Sequence, residues 1–187
     1  YTKIISANGA YTFTASLATG NTYTTVVGIQ PSGQICSVSN ANGTVASSNI
    51  NNIDVTCVNA YTVGGTLSGL AAGTSVVIRM NSATKVVNAN GAFTFASLVL
   101  PGTTYAVTLG IQPAGQKCTV SNGTGTMPSS NVTNVSISCV PTYTVSGTAP
   151  AAGVSGLNTG NCVTLQLNAT GSKLVCANGS FSFASGL

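Results

Sequence analysis

Acidic side chains and histidine are nearly absent from this 187-residue sequence. It contains no His and no Glu, and Asp54 is its only Asp. A Ser-His-Asp triad, a pair of catalytic carboxylates and a two-metal site all need residues that the chain lacks. Calcium sites need several carboxylate oxygens around one ion, and a single Asp cannot supply them. We therefore expect no catalytic residues, no metal-binding residues and no cofactor, and we predict that the protein is not an enzyme.

Charge of either sign is also scarce. Charged residues make up 3% of the sequence, against roughly a quarter in ordinary soluble domains. The five Lys and Arg residues are spread singly and give a net charge of +4, so no basic patch predicts a nucleic-acid partner. No apolar run approaches the roughly 20 residues that span a bilayer, and no signal peptide opens the sequence. We expect a soluble excerpt of a mature protein, with a surface of Thr, Ser, Asn and Gln.

The sequence repeats itself with a period of 82 residues. "YTVGGTLSG" at Tyr61 returns as "YTVSGTAPA" at Tyr143, and "GIQPSGQICSVSN" returns as "GIQPAGQKCTVSN" at the same distance. A third copy carries extra residues around "APAAGVSGLNTG" before it rejoins the pattern. We predict the C-terminal part of a first repeat at 1–60, a complete second repeat at 61–142 and the N-terminal part of a third at 143–187. Residues 1–60 are expected not to fold in isolation, because they lack the counterparts of the first two strands.

Hydrophobic residues alternate with a period of two, which predicts strands and no helix. Val76, Ile78 and Met80 share one face of such a strand, and Gly, Asn-Gly and Pro-Gly steps separate successive strands. Seven short antiparallel strands per unit favour an all-β fold of tandem immunoglobulin-like β-sandwich repeats of about 82 residues. A β-solenoid is the structural alternative, although its coils usually repeat every 20 to 30 residues or so. The seven strands are expected near Tyr61 to Leu67, Ser75 to Met80, Lys85 to Asn88, Ala92 to Ala96, Thr104 to Ile111, Lys117 to Ser121 and Val132 to Val140.

The six cysteines fall into three local pairs. Cys36 and Cys57 recur as Cys118 and Cys139, each pair 21 positions apart, and the third copy adds Cys162 and Cys176 at the two ends of a predicted hairpin. A zinc site is excluded because the chain lacks a C-x-x-C spacing and histidine, and a catalytic thiol would have no base to activate it. We predict three disulfides in these pairs, and hence a location outside the cytoplasm.

The order "SGL…SVVIRMN…ANGAFTFASLVLPGTTYAVTL" resembles the prealbumin-like, B-type repeats of bacterial collagen adhesins and related surface proteins. The Thr- and Asn-rich units ending in "TCV" or "SCV" also resemble tandem repeats in very long secreted proteins of Gram-negative bacteria. The resemblance implies an extracellular stalk, which in the adhesin family is often locked by a lysine-to-asparagine isopeptide bond assisted by an acidic residue. The complete unit here has no acidic side chain, so the recurring disulfide takes the stabilising role instead.

Two functional classes follow from these features. The first is a structural segment of an extracellular bacterial filament, pilus-like fibre or surface stalk, whose partners are other copies of itself or adjacent repeats of the same chain. The second is an adhesin module that binds a glycan or a host protein through variable loops. Its best candidate site is the segment from Pro150 to Gly160, where the third copy departs from the repeat. Both classes place the protein outside the cell, at the cell surface or secreted.

Overall fold

The computed structural model describes residues 1–147, 154–168 and 171–183. The described residues form an all-β structure, and none of them lies in a helix. No helix long and apolar enough to cross a membrane therefore occurs among them. The strands are β1 (Thr22–Thr24), β2 (Gln34–Ser39), β3 (Asn42–Thr44), β4 (Asp54–Asn59), β5 (Val63–Ser68), β6 (Val76–Met80), β7 (Ala83–Val87), β8 (Gly91–Thr94), β9 (Thr104–Ile111), β10 (Gln116–Ser121), β11 (Thr124–Thr126), β12 (Val132–Pro141), β13 (Ser146–Gly147), β14 (Val163–Leu167), β15 (Gly171–Val175) and β16 (Phe181–Ser182).

Strands β5 to β12 form two four-stranded sheets, which is consistent with a β-sandwich. One sheet has the order β10-β12-β5-β8 and the other has the order β11-β9-β6-β7. The predicted alternation is confirmed in β6, where Val76, Ile78 and Met80 are buried and Arg79 is exposed. These side chains join one core cluster built from both sheets, and all its buried members lie between Val63 and Cys139. The core therefore lies inside residues 61–142.

The pairing of β5 with β12 departs from the antiparallel arrangement predicted for all seven strands. These two strands run parallel, with Val63 opposite Val132 and Gly65 opposite Val135. β5 is hydrogen-bonded to β12 on one side and to β8 on the other. Its glycines permit this close approach, since a Cβ built on Gly65 would overlap the carbonyl oxygen of Val135. The first and last strands of residues 61–142 thus lie side by side.

The prediction of seven strands in this unit is also wrong by one strand. The additional strand is β11, which pairs with β9 at the edge of the second sheet. Its sequence, TGT, contains no large hydrophobic residue, so it gives no alternating pattern. Gly125 lies opposite Tyr105, and a Cβ on this glycine would come within 2.8 Å of the tyrosine hydroxyl oxygen. The absence of a side chain on Gly125 therefore leaves room for the Tyr105 ring on the partner strand.

The flanking segments contain shorter sheets with the same local pairings. In residues 1–60, β1 pairs with β3 and β2 pairs with β4. Beyond residue 142, β13 pairs with β16 and β14 pairs with β15. Each of these four sheets has two strands among the described residues, whereas the sheets of residues 61–142 have four. The flanking segments consequently have less surface covered than their counterparts in the middle of the chain.

Candidate functional site: the disulfides and the open sheet edges

Three disulfides join the cysteine pairs that the sequence predicts. Cys36 is bonded to Cys57 and Cys118 to Cys139, with Cα atoms 3.9 Å apart in each pair. Both bridges connect directly opposite residues of antiparallel strands, β2 with β4 and β10 with β12. The described residues contain no free cysteine. Disulfides persist in oxidising compartments, so the three bridges indicate such an environment.

The third disulfide holds a hairpin rather than the interior of a sheet. Cys162 and Cys176 are bonded, and they lie immediately outside the paired residues Val163 and Val175 at the ends of β14 and β15. Both cysteines are exposed. This bridge fixes the register of a hairpin that has no further sheet neighbour among the described residues. In the middle unit (residues 61–142) the corresponding hairpin of β6 and β7 has no disulfide and is joined to β9 through β6.

A glutamine side chain hydrogen-bonds to the backbone of the first cysteine in each of the two disulfides whose cysteines are 21 positions apart. The Gln112 side-chain oxygen accepts a hydrogen bond from the Cys118 N–H at 2.8 Å, and its amide nitrogen donates to the Cys118 carbonyl oxygen at 3.2 Å. Gln30 makes the same two bonds to Cys36, at 2.7 and 3.1 Å. This role was missed in the sequence, although "GIQPSGQIC" and "GIQPAGQKC" repeat both glutamines at the same distance from the cysteine.

A second glutamine joins the disulfide strand to the loop that follows β5. Gln116 is 9% exposed, and its amide nitrogen donates to the Gly69 carbonyl oxygen at 2.7 Å while its oxygen accepts from the Ala71 N–H at 2.9 Å. The counterpart, Gln34, is half-buried and donates instead to the Asn59 side chain at 3.1 Å. Gln34 and Gln116 therefore lie in different environments, and only Gln116 bonds to two backbone groups of the loop. We call these two hydrogen bonds the Gln116 bracket.

Replacement of Gln116 by Ala is expected to lower the free energy of unfolding by about 1–3 kcal/mol, because it removes two part-buried hydrogen bonds to the loop, each worth about 0.5–1.5 kcal/mol. The matched change, Gln34→Ala, removes an exposed bond and should cost less than about 1 kcal/mol. Urea unfolding followed by far-ultraviolet circular dichroism measures both. Equal losses of unfolding free energy for the two variants would show that the Gln116 bracket stabilises the fold no more than the exposed bond of Gln34 does.

Residues 1–60 leave hydrophobic side chains exposed that are buried at the counterpart positions. Val55 on β4 is 37% exposed, whereas Ile137, its counterpart on β12, is fully buried. Ile50 is 37% exposed, and its counterpart Val132 is 8% exposed. In the middle unit β12 has β5 as a second neighbour and shares a core cluster with the other sheet, while β4 pairs with β2 alone among the described residues. Among the described residues, β4 therefore has one unpaired edge and carries exposed apolar side chains.

Residues 143–183 also leave a hydrophobic side chain exposed whose counterpart in the middle unit is buried. Val145 is 51% exposed, whereas Val63, its counterpart beside β12, is fully buried. The loop around Leu157 nevertheless keeps the conformation of its counterpart. The Asn178 side chain accepts from the Leu157 N–H at 2.8 Å and donates to its carbonyl at 3.2 Å, as Asn90 does to Leu70 at 2.8 and 2.9 Å. The described part of the segment thus has the strand pairings of β5 with β8 and of β6 with β7, and no strands of the described residues cover it.

The loop predicted as an adhesive site lies partly outside the described residues. Of the segment from Pro150 to Gly160, residues 154–160 are described. A surface depression close to it in sequence is lined by Ser146, Gly147, Lys173, Ser180, Phe181 and Ser182. Among the described residues, no three His, Cys, Asp or Glu side chains lie close enough together to hold a metal ion.

Comparison with known proteins adds no family. No protein-family model matches the chain, and no curated protein matches it significantly. The features of the chain that bear on its function are the sequence repeat, the disulfides and the unpaired edge of β4 among the described residues.

Proposed function

We propose that the chain is a structural segment of an extracellular bacterial filament or surface stalk, built of tandem immunoglobulin-like sandwiches and without catalytic activity. The observation that carries the proposal is the recurrence of one disulfide-braced strand pair, with Cys36 opposite Cys57 and Cys118 opposite Cys139 in the same register. Modules of one size in series form a rod whose length increases with their number. The resemblance to B-type adhesin repeats supports the same role.

The composition supports an exposed structural role outside the cell. A sandwich stabilised by strand hydrogen bonds and disulfides has few ion pairs that salt could screen, because the sequence contains one acidic side chain. The same scarcity of titratable carboxylates limits the proton uptake that drives acid unfolding. The surface is instead rich in Thr, Ser and Asn, which remain uncharged when pH changes. Such a protein suits an environment whose salt and pH are not controlled.

Antibody labelling of intact cells tests the location that this function requires. Antibodies raised against the 187-residue chain should label unpermeabilised cells or the fibres around them, and the labelled material should contain no free thiols until it is reduced. Labelling that appears only after the cells are permeabilised would contradict the proposal.

Binding of a glycan or host protein is the second candidate function. It is favoured by the depression at Lys173 and Phe181, since this region also follows the segment in which the third copy departs from the repeat. A glycan array probed with the purified chain measures it. Tight binding of one glycan, lost in Phe181→Ala, would favour the adhesin, whereas absence of binding would argue against a glycan ligand.

A further inference from the structure

We infer that the parallel pair of β5 and β12 is the force-bearing contact of the middle unit, and that the Cys118–Cys139 disulfide pins one end of this pair. The inference rests on the stalk function proposed above and names what the stalk withstands, which is tension along the polypeptide. It is carried by the directions of the two strands, by the contacts along the pair and by the position of the disulfide.

The first and last strands of the middle unit run in the same direction. Val63 lies opposite Val132 at one end of the parallel pair. Ser68 lies opposite Ser138 at the other end. The chain enters β5 at Val63 and leaves β12 at Pro141, so a pull on the two sides of the unit acts at opposite ends of the pair. Such a pull shears the strands and loads the whole row of interstrand hydrogen bonds at once, whereas a pull at one end would open them singly.

Further hydrogen bonds close the end of the pair where the chain enters β5. The Val132 N–H donates to the Thr62 carbonyl oxygen at 2.9 Å, and the Thr62 N–H donates to the Asn131 side-chain oxygen at 2.9 Å. Tyr61 and Val99 exchange two backbone hydrogen bonds, at 2.9 and 2.8 Å. The residues just before β5 are therefore tied to two different segments of the unit, and these contacts resist peeling of β5 from its loaded end.

The side chains of the pair lie in the core of the sandwich. Val63, Val135 and Ile137 are fully buried, and a Cβ built on Gly65 would overlap the Val135 carbonyl oxygen. A slip of β5 by one residue would turn each of its side chains to the opposite face of the sheet. Sliding would therefore expose apolar surface to water, and the free energy of that exposure adds to the resistance of the hydrogen bonds.

The Cys118–Cys139 disulfide lies at the end of the pair where the chain leaves β12. Cys139 directly follows Ser138, the last residue of β12 that pairs with β5, and it is bonded to Cys118 opposite it on β10. A pull from the C-terminal side therefore meets a covalent bond before it reaches the pair, and it cannot peel β12 away beyond Cys139. The disulfide loop also contains every residue of β12 that pairs with β5, so β12 stays joined to β10 after β5 has separated.

Single-molecule force spectroscopy on the full chain, with two directions of pull, tests the inference. In the shear arrangement the handles are attached through Tyr1→Cys and Tyr143→Cys, so the force crosses the middle unit from its entrance to its exit. In the unzipping arrangement they are attached through Ala72→Cys and Tyr143→Cys, which follow the same end of the β5–β12 pair. All three positions are exposed. The middle unit should unfold at a severalfold higher force in the shear arrangement, because its hydrogen bonds are loaded together.

Removal of the disulfide gives a second readout in the shear arrangement. The double variant Cys118→Ala, Cys139→Ala should unfold at a lower force, because β12 can then be peeled from its C-terminal end. The cysteines are 21 positions apart, so the extension released by the middle unit should also increase by about 70 Å, at about 3.3–3.6 Å for each added residue. The control is Cys162→Ala, Cys176→Ala. This bridge lies outside the stretch between the handles, and its loss should change neither the force nor the extension.

Two results would overturn the inference. One is an equal unfolding force in the two arrangements, which would show that the β5–β12 pair does not bear the load. The other is a variant without the Cys118–Cys139 bridge that unfolds at the same force as the chain that keeps it, which would show that the disulfide does not pin the pair. If that variant does not fold, the comparison of the two directions decides, since it keeps every disulfide. Neither result bears on whether the native material is extracellular, so the function proposed above would fail by a different observation.

Discussion

Removal of the Cys118–Cys139 disulfide by a double Ala substitution should lower the free energy of unfolding of residues 61–142 by about 3 kcal/mol. The bridge closes a loop of 21 residues, and in the chain-entropy account such a loop contributes on the order of 3 kcal/mol by restricting the unfolded chain. Both cysteines are buried in the core cluster, so the substitution also removes packed sulfur atoms. Hydrogen exchange of amides in β5 and β12 should therefore become about a hundredfold faster.

The control is the removal of the exposed Cys162–Cys176 bridge. It lies outside the core cluster of residues 61–142, so exchange in β5 and β12 should not change. Loss of protection in β14 and β15 alone is the expected pattern. An equal change in the exchange rates of β5 and β12 for the two double variants would contradict the expectation that each disulfide stabilises its own part of the chain.

Substitution of Gly65 by Ala should destabilise the sandwich by about 3 kcal/mol or more. The new Cβ would overlap the carbonyl oxygen of Val135, which is backbone and cannot move without breaking the parallel pairing of β5 with β12. Overpacking of this kind commonly costs about 1–3 kcal/mol, and a backbone clash lies at the upper end of that range.

A matched glycine distinguishes this clash from the general effect of adding a methyl group. Gly28 has open space where a Cβ would be placed and does not have a positive φ, so Gly28→Ala should be neutral or slightly stabilising. Thermal unfolding by circular dichroism compares the two variants with the unmodified chain. A Gly65→Ala protein that unfolds at the same temperature as Gly28→Ala would contradict the parallel pairing.

The alternation of side chains was sufficient to predict most of the strands. β6 buries every second side chain, and so does β12 from Val135 to Cys139, so their hydrophobic pattern is visible in the sequence. β11 was missed because it is short and its residues are Thr and Gly, which carry no pattern. The parallel pairing of β5 with β12 was missed for a different reason. Alternation predicts which residues share a face, but strand direction depends on how distant segments meet.

The disulfide pairs could be predicted from their recurrence, whereas the hydrogen bonds made by the glutamine side chains could not. In a chain without histidine, a cysteine has few roles other than a disulfide, so the spacing of the cysteines indicates how they pair. Glutamine is common on surfaces, and the role of Gln116 depends on a loop 45 residues earlier in the chain. The repeat did contain a signal, since both glutamines keep their distance from the cysteine in the two copies. That signal marks the positions but does not give their partners.

Imaging of native fibres labelled with antibodies against residues 61–142 tests the structural role most directly. We predict thin fibres decorated along their whole length, with an axial repeat of a few tens of ångströms, as expected for strands of five to ten residues at about 3.3 Å per residue. The fibres should survive a chelator and concentrated salt and should weaken in a reductant. Decoration confined to isolated, non-polymeric molecules, or fibres that dissolve in a chelator and resist the reductant, would contradict this account.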